Sequence, residues 1–147
     1  MPNNVLTTYE SACRGGHSQA QLLIHLYEQI AEDVPDSLTA RLKINDRLKQ
    51  LRQAQDSLSE KLSELDLLQT EPDPEREKLL EIFTNLKYAF TAEDEHTISD
   101  RLATEESEFL KFVQEVAEHA SDKLVESIVV QTRAAIALLT SHAESGN

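Results

Sequence analysis

The stretch INDRLKQLRQAQDSLSEKLSEL, residues 44–65, carries the strongest periodic signal in the chain. Six aliphatic residues and one glutamine follow one another in alternating steps of four and three: Ile44, Leu48, Leu51, Gln55, Leu58, Leu62 and Leu65. A seam with a mean spacing of about 3.5 residues lets helices pack nearly antiparallel in bundles. The pattern therefore predicts a long helix, over residues 37–68, inside a helical bundle.

Four further helices are predicted, one before this helix and three after it. Gly15 and Gly16 each cost about 1 kcal/mol inside a helix, so a kink or a break is expected there. Pro35 ends the first helix, and Pro72 with Pro74 separates the second helix from a short third one. The short helix lies where some four-helix bundles make a long crossover connection. The predicted ranges are 17–33, 37–68, 76–90, 95–119 and 122–142.

Composition excludes several classes of partner. The chain has 147 residues, enough for a single domain over 1–147, and a formal net charge of −13. Nucleic acids and anionic membranes both attract clustered Lys and Arg, so neither is an expected partner. No apolar run is expected to reach the ~20 residues of a membrane span. Cys13 is the only cysteine, which excludes a disulfide framework and favours a cytoplasmic protein.

The stretch IFTNLKYAFTAEDEHTISDRLATEESEFLKFV, residues 82–113, resembles a family of small bacterial ferritin-like proteins of uncharacterised function. The matching features are Leu86, Lys87, Thr91, Asp94, Glu95, Ile98, Glu106, Leu110 and Lys111, together with Cys13, Gly16 and Gln131 outside this stretch. The family usually has a Trp at the start of its crossover helix, and this chain has none. The resemblance implies an all-α, ferritin-like four-helix bundle with a short extra crossover helix. It implies a fold rather than an activity.

Glu93 and His96 form a Glu-x-x-His pair, the spacing with which ferritin-like proteins hold iron. Residues i and i+3 share one helix face, so a single helix can offer a carboxylate and an imidazole to the same ions. The apolar period begins only at Ile98, which makes Asp94 the predicted N-cap and leaves Glu93 outside the helix. We interpret the pair as the polar start of a helix.

A di-iron centre needs carboxylates on all four helices and a Glu-x-x-His on two of them. The helix over 37–68 has no His, and its acids lie off the leucine seam. Glu106 is the only acid on a predicted core row. Neither a metal nor another cofactor is therefore expected. The alternative is a metal-binding (iron) or oxidoreductase bundle that uses Glu106 as a ligand, which requires different helix phases.

Three polar residues fall on predicted core rows: Glu106, Gln131 and Gln55. A buried carboxylate needs hydrogen bonds or a cation. One interpretation is a satisfied polar pair of Glu106 and Gln131 that sets the helix register. The other is the remnant of a metal site, or a small-ligand pocket. Glu105 replaces Glu106 as the inward group if the helix is rotated slightly.

The sequence predicts no catalytic residues, since no Gly-rich phosphate loop and no Cys-His or Ser-His-Asp arrangement can be recognised. We expect a non-catalytic bundle with an interaction or stress-related role. A homodimer or a protein partner is favoured by the wide apolar face of the last helix. Its main row is Leu124, Ile128, Gln131, Ala135, Leu138 and His142, with Val125, Val129, Ile136 and Leu139 beside it.

Overall fold

A computed structural model describes residues 4–65, 81–82, 94–120 and 122–145. Every regular element in these ranges is an α-helix, so the prediction of an all-α chain is confirmed. The helices are α1 (Asn4–Asp33), α2 (Asp36–Arg41), α3 (Ile44–Glu64), α4 (Glu95–His119) and α5 (Lys123–Ser145). The helix predicted over 76–90 lies outside the described residues, apart from residues 81 and 82, which are helical.

The four long helices form a ring. α1 packs on α3 and α4, and α5 packs on the same two helices. Gly16 of α1 lies against Leu58 of α3. Further along α1, Glu28 binds Arg52, which comes earlier in α3. α1 and α3 are therefore antiparallel.

The other neighbouring pairs in the ring are antiparallel as well. Along α1, Gly15 meets Phe112 and Gln19 meets Glu105 of α4. Positions in α3 and α5 pair in the same inverted order: Arg47 with Thr132, and Lys61 with Asp122. α3 and α4 consequently run in one direction, and α1 and α5 run in the other.

The segment between α3 and α4 joins opposite ends of the bundle. Lys61, near the end of α3, lies 2.8 Å from Asp122 at the start of α5. Glu95, at the start of α4, lies 3.0 Å from Arg41 at the end of α2. The end of α3 and the start of α4 therefore lie at opposite ends of the bundle. Ile82, in the described part of this connection, is fully buried.

The core is aliphatic around two large aromatic side chains, Tyr27 of α1 and Phe109 of α4, both fully buried. The seam of α3 contributes most of its predicted residues, with Ile44, Leu48, Leu51, Leu58 and Leu62 buried. Burial of each such side chain stabilises the fold by about 1.5–3 kcal/mol relative to exposure. The bundle therefore depends on the periodic rows that the sequence displays.

α1 runs unbroken through Gly15 and Gly16, so the predicted break is wrong. A Cβ atom on Gly15 would overlap the ring of Phe112, and one on Gly16 would lie 3.2 Å from Cδ1 of Leu58. The two glycines let α4 and α3 approach α1 closely. Their weak helix propensity is offset by this packing, which the local sequence does not reveal.

The single helix predicted over 37–68 is interrupted between α2 and α3. Lys43 has φ 53° and ψ 42°, a left-handed conformation that costs a non-glycine residue about 1–2 kcal/mol. Leu42 and Ile44 are 2% and 0% exposed. A continuous helix would direct these two side chains about 200° apart. The break turns the chain so that both reach the core.

The predicted cap of α4 is found, and α5 is capped by an aspartate as well. Asp94 accepts the backbone N–H of Thr97 at 3.3 Å and its hydroxyl at 2.7 Å. Asp122 accepts the backbone N–H of Val125 at 2.8 Å, so Asp122 caps α5. His96 is exposed in the first turn of α4, while Glu93 lies outside the described residues.

The buried face of α5 is rotated from the predicted row. Val125, Ile128, Thr132 and Leu139 are buried, whereas Leu124 is 61% exposed. Leu124 was expected in the core and is on the surface, because only the side of α5 that meets α3 and α4 is covered. The side chain of His142 lies outside the described residues.

Among the described helices, α5 contains one segment, Lys123–Ser141, that is long and apolar enough to cross a membrane, with a mean hydropathy of 1.3. The expectation that no apolar run reaches such a length was wrong. Only 28% of this segment is buried within the bundle. This finding concerns only the length and composition of the segment. In the bundle, α5 packs on α3 and α4 through its buried row. α5 therefore has more apolar surface than its own bundle covers.

We expect Gly15→Ala to destabilise the protein by about 1–3 kcal/mol, because the new methyl group overpacks against Phe112. In a Phe112→Ala background the same change should stabilise it by roughly 1 kcal/mol, since only the better helix propensity of alanine remains. Urea unfolding of the four proteins measures both values. A destabilisation of equal size in the two backgrounds would show that Phe112 is not the reason for Gly15.

Candidate functional site

The centre of the bundle contains a buried ion pair between α3 and α4. The carboxylate of Glu106 is 0% exposed and the side chain of Arg47 is 6% exposed. Arg47 Nε donates to Oε2 of Glu106 at 2.7 Å, and Arg47 Nη2 donates to Oε1 at 2.7 Å. This two-pronged geometry is the strongest form of carboxylate–guanidinium pairing. It meets the requirement that a buried carboxylate have a cation.

The two remaining long helices complete the cluster. The hydroxyl of Tyr27, on α1, donates to Oε2 of Glu106 at 2.6 Å. Arg47 Nη2 donates to the hydroxyl of Thr132, on α5, at 3.1 Å, and Nη1 donates to Gln50 Oε1 at 3.1 Å. Each of the four long helices thus contributes one buried polar side chain. We call Tyr27, Arg47, Glu106 and Thr132 the polar centre.

The protonation states in the polar centre follow from burial and from the charge of Glu106. Burial raises the pKa of Tyr27 well above its ordinary value, and the neighbouring carboxylate of Glu106 raises it further. Burial alone would lower the pKa of Arg47, but the hydrogen bonds and the charge of Glu106 outweigh it and raise that pKa. The phenol therefore remains a donor, and the guanidinium remains charged.

A second buried carboxylate, Glu105, lies beside the first in sequence and faces α1. Gln19 Nε2 donates to the side-chain Oε1 and to the backbone carbonyl of Glu105, each at 2.9 Å. Arg101 Nη2 lies 3.1 Å from Oε2 of Glu105. Both Glu105 and Glu106 are buried, so the expected choice between them was wrong. Glu105 pairs with Gln19 of α1 and Arg101 of α4, whereas Glu106 pairs with Arg47 of α3 and Tyr27 of α1.

The predicted buried polar residues are only partly brought together. Glu106 is in the core, whereas Gln131 and Gln55 are half-buried. Thr132 is buried in place of Gln131, and Ala54 is buried in place of Gln55. One position along a helix is a rotation of about 100°, so a small error in phase exchanges such neighbours. Glu106 bonds Arg47 and Tyr27, and these take the role that was predicted for Gln131.

Arg47 was not predicted as a buried residue, although its position in the sequence carries a signal. Arg47 lies three positions after Ile44 and four before Leu51, so it shares their face. A charged residue on an apolar row predicts a buried partner of opposite charge. Tyr27 lies on an apolar row with Leu23 and Ile30, which indicates a core position but does not reveal its hydrogen bond to Glu106. Thr132 and Gln19 gave no comparable signal.

The polar centre does not fit a metal ion. Both oxygens of Glu106 accept hydrogen bonds from Arg47, and Oε2 also accepts one from Tyr27. A metal cation bound there would displace these donors and lie beside a buried guanidinium, which repels it. In the part of the chain that the structure describes, no three His, Cys, Asp or Glu side chains are grouped as metal ligands. The buried thiol of Cys13 has a pKa that burial raises, which makes it a weaker nucleophile and ligand.

A pocket of about 280 Å³ adjoins the polar centre between α3 and α5. These two helices pack less closely than the other neighbouring pairs of the ring. Tyr27 and Arg47 belong to both the polar centre and the pocket. The remaining lining residues are Leu42, Lys43, Asp46, Gln50, Gln131, Ala134, Ala135, Leu138 and Leu139. Gln131 is therefore half-buried because it forms part of the wall of a pocket.

Comparison of the chain with protein-family models, curated proteins and solved structures found no match.

We expect Arg47→Met to reduce the free energy of unfolding by about 3–5 kcal/mol, because it leaves the carboxylate of Glu106 buried without a cation. Urea unfolding measures the effect.

Two control proteins separate loss of the buried pair from loss of an arginine. Arg52→Met removes the exposed partner of Glu28 on the same helix and should cost less than about 1 kcal/mol. The triple change Arg47→Met, Glu106→Leu and Tyr27→Phe removes the polar centre together and should recover most of the lost stability. A triple variant as unstable as Arg47→Met alone would contradict the explanation.

Proposed function

We propose that this protein is a non-catalytic, ferritin-like bundle that acts through interactions with other molecules and has no di-iron centre. The helix directions support the ferritin-like part of the proposal. α1 and α5 oppose α3 and α4, and one long connection joins the two middle helices, as in ferritin-like folds. The resemblance of residues 82–113 to a small ferritin-like family points the same way.

The observation that carries the proposal is the position of Arg47. In ferritin-like metal proteins, carboxylates and imidazoles from four helices point into the bundle and hold two ions. Here the inward polar groups of the four long helices are a phenol, a guanidinium, a carboxylate and a hydroxyl. The guanidinium supplies inside the protein the positive charge that the ions supply in such a site. The polar centre accordingly has a structural role.

The surface that favours an interaction role is the outer side of α5. Leu124 and Val130 are large apolar residues with 61% and 65% of their surface exposed. The segment Lys123–Ser141 contains two cations, Lys123 and Arg133, and one acid, Glu126, which gives it a charge of +1. The whole chain has a charge of −13, so two copies that meet through this nearly neutral segment repel each other less than their net charges suggest. A homodimer through α5 is the interaction that these features favour.

Iron loading tests the metal part of the proposal. Protein mixed with ferrous iron in air should develop no ferroxidase absorbance and retain no stoichiometric iron, because Arg47 occupies the ligand oxygens of Glu106. Glu106→Gln serves as the control: any weak iron content should be the same in both proteins. Two irons per chain that disappear in Glu106→Gln would establish the metal-binding alternative.

Light scattering after size-exclusion chromatography tests the interaction part. The protein at micromolar concentration should have twice the chain mass of 16.6 kDa. The changes Leu124→Glu and Val130→Glu should produce a monomer, because each buries a charge in the apolar contact. Gln53→Glu, at an exposed position of α3, should leave the dimer intact. A monomeric wild-type protein at this concentration would exclude the α5 dimer.

A further inference from the structure

The pocket between α3 and α5 has a polar side and an apolar side. Its polar side comes from Lys43, Asp46, Arg47 and Gln50 of the α2–α3 junction and α3. The apolar side comes mainly from α5, with Ala134, Ala135, Leu138 and Leu139. Two alanines at this level of α5 leave the space that larger side chains would fill. A pocket divided in this way fits an amphipathic small molecule.

The polar side offers more hydrogen-bond donors than charged acceptors. Arg47 Nη1 carries two N–H groups, and the cluster uses one of them for Gln50. Because Gln50 Oε1 accepts that bond, the amide of Gln50 has its N–H₂ group available for a ligand. Lys43 is a second basic residue of the lining, and Asp46 is the one acidic residue among the described lining residues. Such a donor-rich surface recognises an anion.

The backbone of Lys43 has an unusual conformation beside the pocket. Among the described non-glycine residues, Lys43 alone has a positive φ. Its left-handed conformation lies at the edge of the pocket and directly before the first turn of α3. Strained residues of this kind cluster at ligand sites. The same break that buries Leu42 and Ile44 also brings Lys43 into the pocket lining.

We infer that the pocket binds a small carboxylic acid with a short aliphatic tail. The carboxylate lies with Arg47 Nη1, Gln50 and Lys43, and the tail lies along the alanine and leucine side chains of α5. The volume of about 280 Å³ lies just below the usual range for ligand pockets, roughly 300–1,000 Å³, which restricts the tail to a few carbons. Glu106 neutralises Arg47 from behind, so the ligand meets a guanidinium whose position is already fixed. This inference goes beyond the proposed interaction role and does not depend on the α5 dimer.

Titration of the isotope-labelled protein with sodium hexanoate, followed by amide NMR, tests the inference. Hexanoate should shift amide signals of the pocket residues with a Kd of about 1 mM or tighter. Hexanol has the same tail and acetate has the same head group, and each should bind at least about tenfold more weakly. Equal binding of hexanol and hexanoate would overturn the inference, as would the absence of shifts around the pocket.

Three variants locate the binding. Ala135→Phe fills the pocket and should abolish hexanoate binding, whereas Ala137→Phe, at an exposed position of the same helix, should not change it. Gln50→Met keeps the size of the side chain and removes its donors, so it should weaken hexanoate about tenfold and leave hexanol unchanged. Hexanoate binding that survives Ala135→Phe, or that is lost in Ala137→Phe, would contradict the assignment to this pocket.

Discussion

The carboxylate of Glu106 imposes the strictest requirement on this bundle. A charge in an apolar interior is tolerated only with a cation and hydrogen bonds around it. Arg47 and Tyr27 satisfy both oxygens, and Thr132 accepts from the same guanidinium. These residues come from four different helices. If α4 slid by one turn, Glu106 would be separated from these partners and remain buried, so the polar centre opposes changes in helix register.

Close packing at two other places determines the course of the backbone. Gly15 and Gly16 have no side chains to hold α3 and α4 away, and α1 continues through them as a helix. At Lys43 the opposite occurs, because a sequence with good helix-forming residues is interrupted. The interruption allows Leu42 and Ile44 to be buried together. In both cases contacts between helices outweigh a local preference of about 1–2 kcal/mol.

α5 borders the polar centre, the pocket and the exposed apolar surface. Its buried row reaches the polar centre through Thr132, its alanines form one wall of the pocket, and its outer side exposes Leu124 and Val130. A helix that contacts the core, the pocket and the outer surface through apolar residues cannot have one apolar face and one polar face. This explains why its sequence is apolar along most of its length, enough to satisfy the length and composition of a membrane span. It also explains why its buried row was difficult to identify from periodicity.

The amino-acid sequence by itself determined the helical class, the bounds of α4 and α5 to within a few residues, and the cap at Asp94. These features depend on local patterns: the spacing of apolar residues and the hydrogen bonds of a residue with its near neighbours. It also indicated that Glu106 faces a core and that a cation or hydrogen bonds must accompany it.

Only the tertiary structure decided which groups those are. The pairing of Glu106 with Arg47, 59 positions away in the chain, depends on the directions and rotations of separate helices. The helical course of Gly15 and Gly16, the break at Lys43 and the pocket beside Gln131 depend on them too. Each is a contact between distant segments, and a rotation of one helix by a single residue, about 100°, would replace it with another.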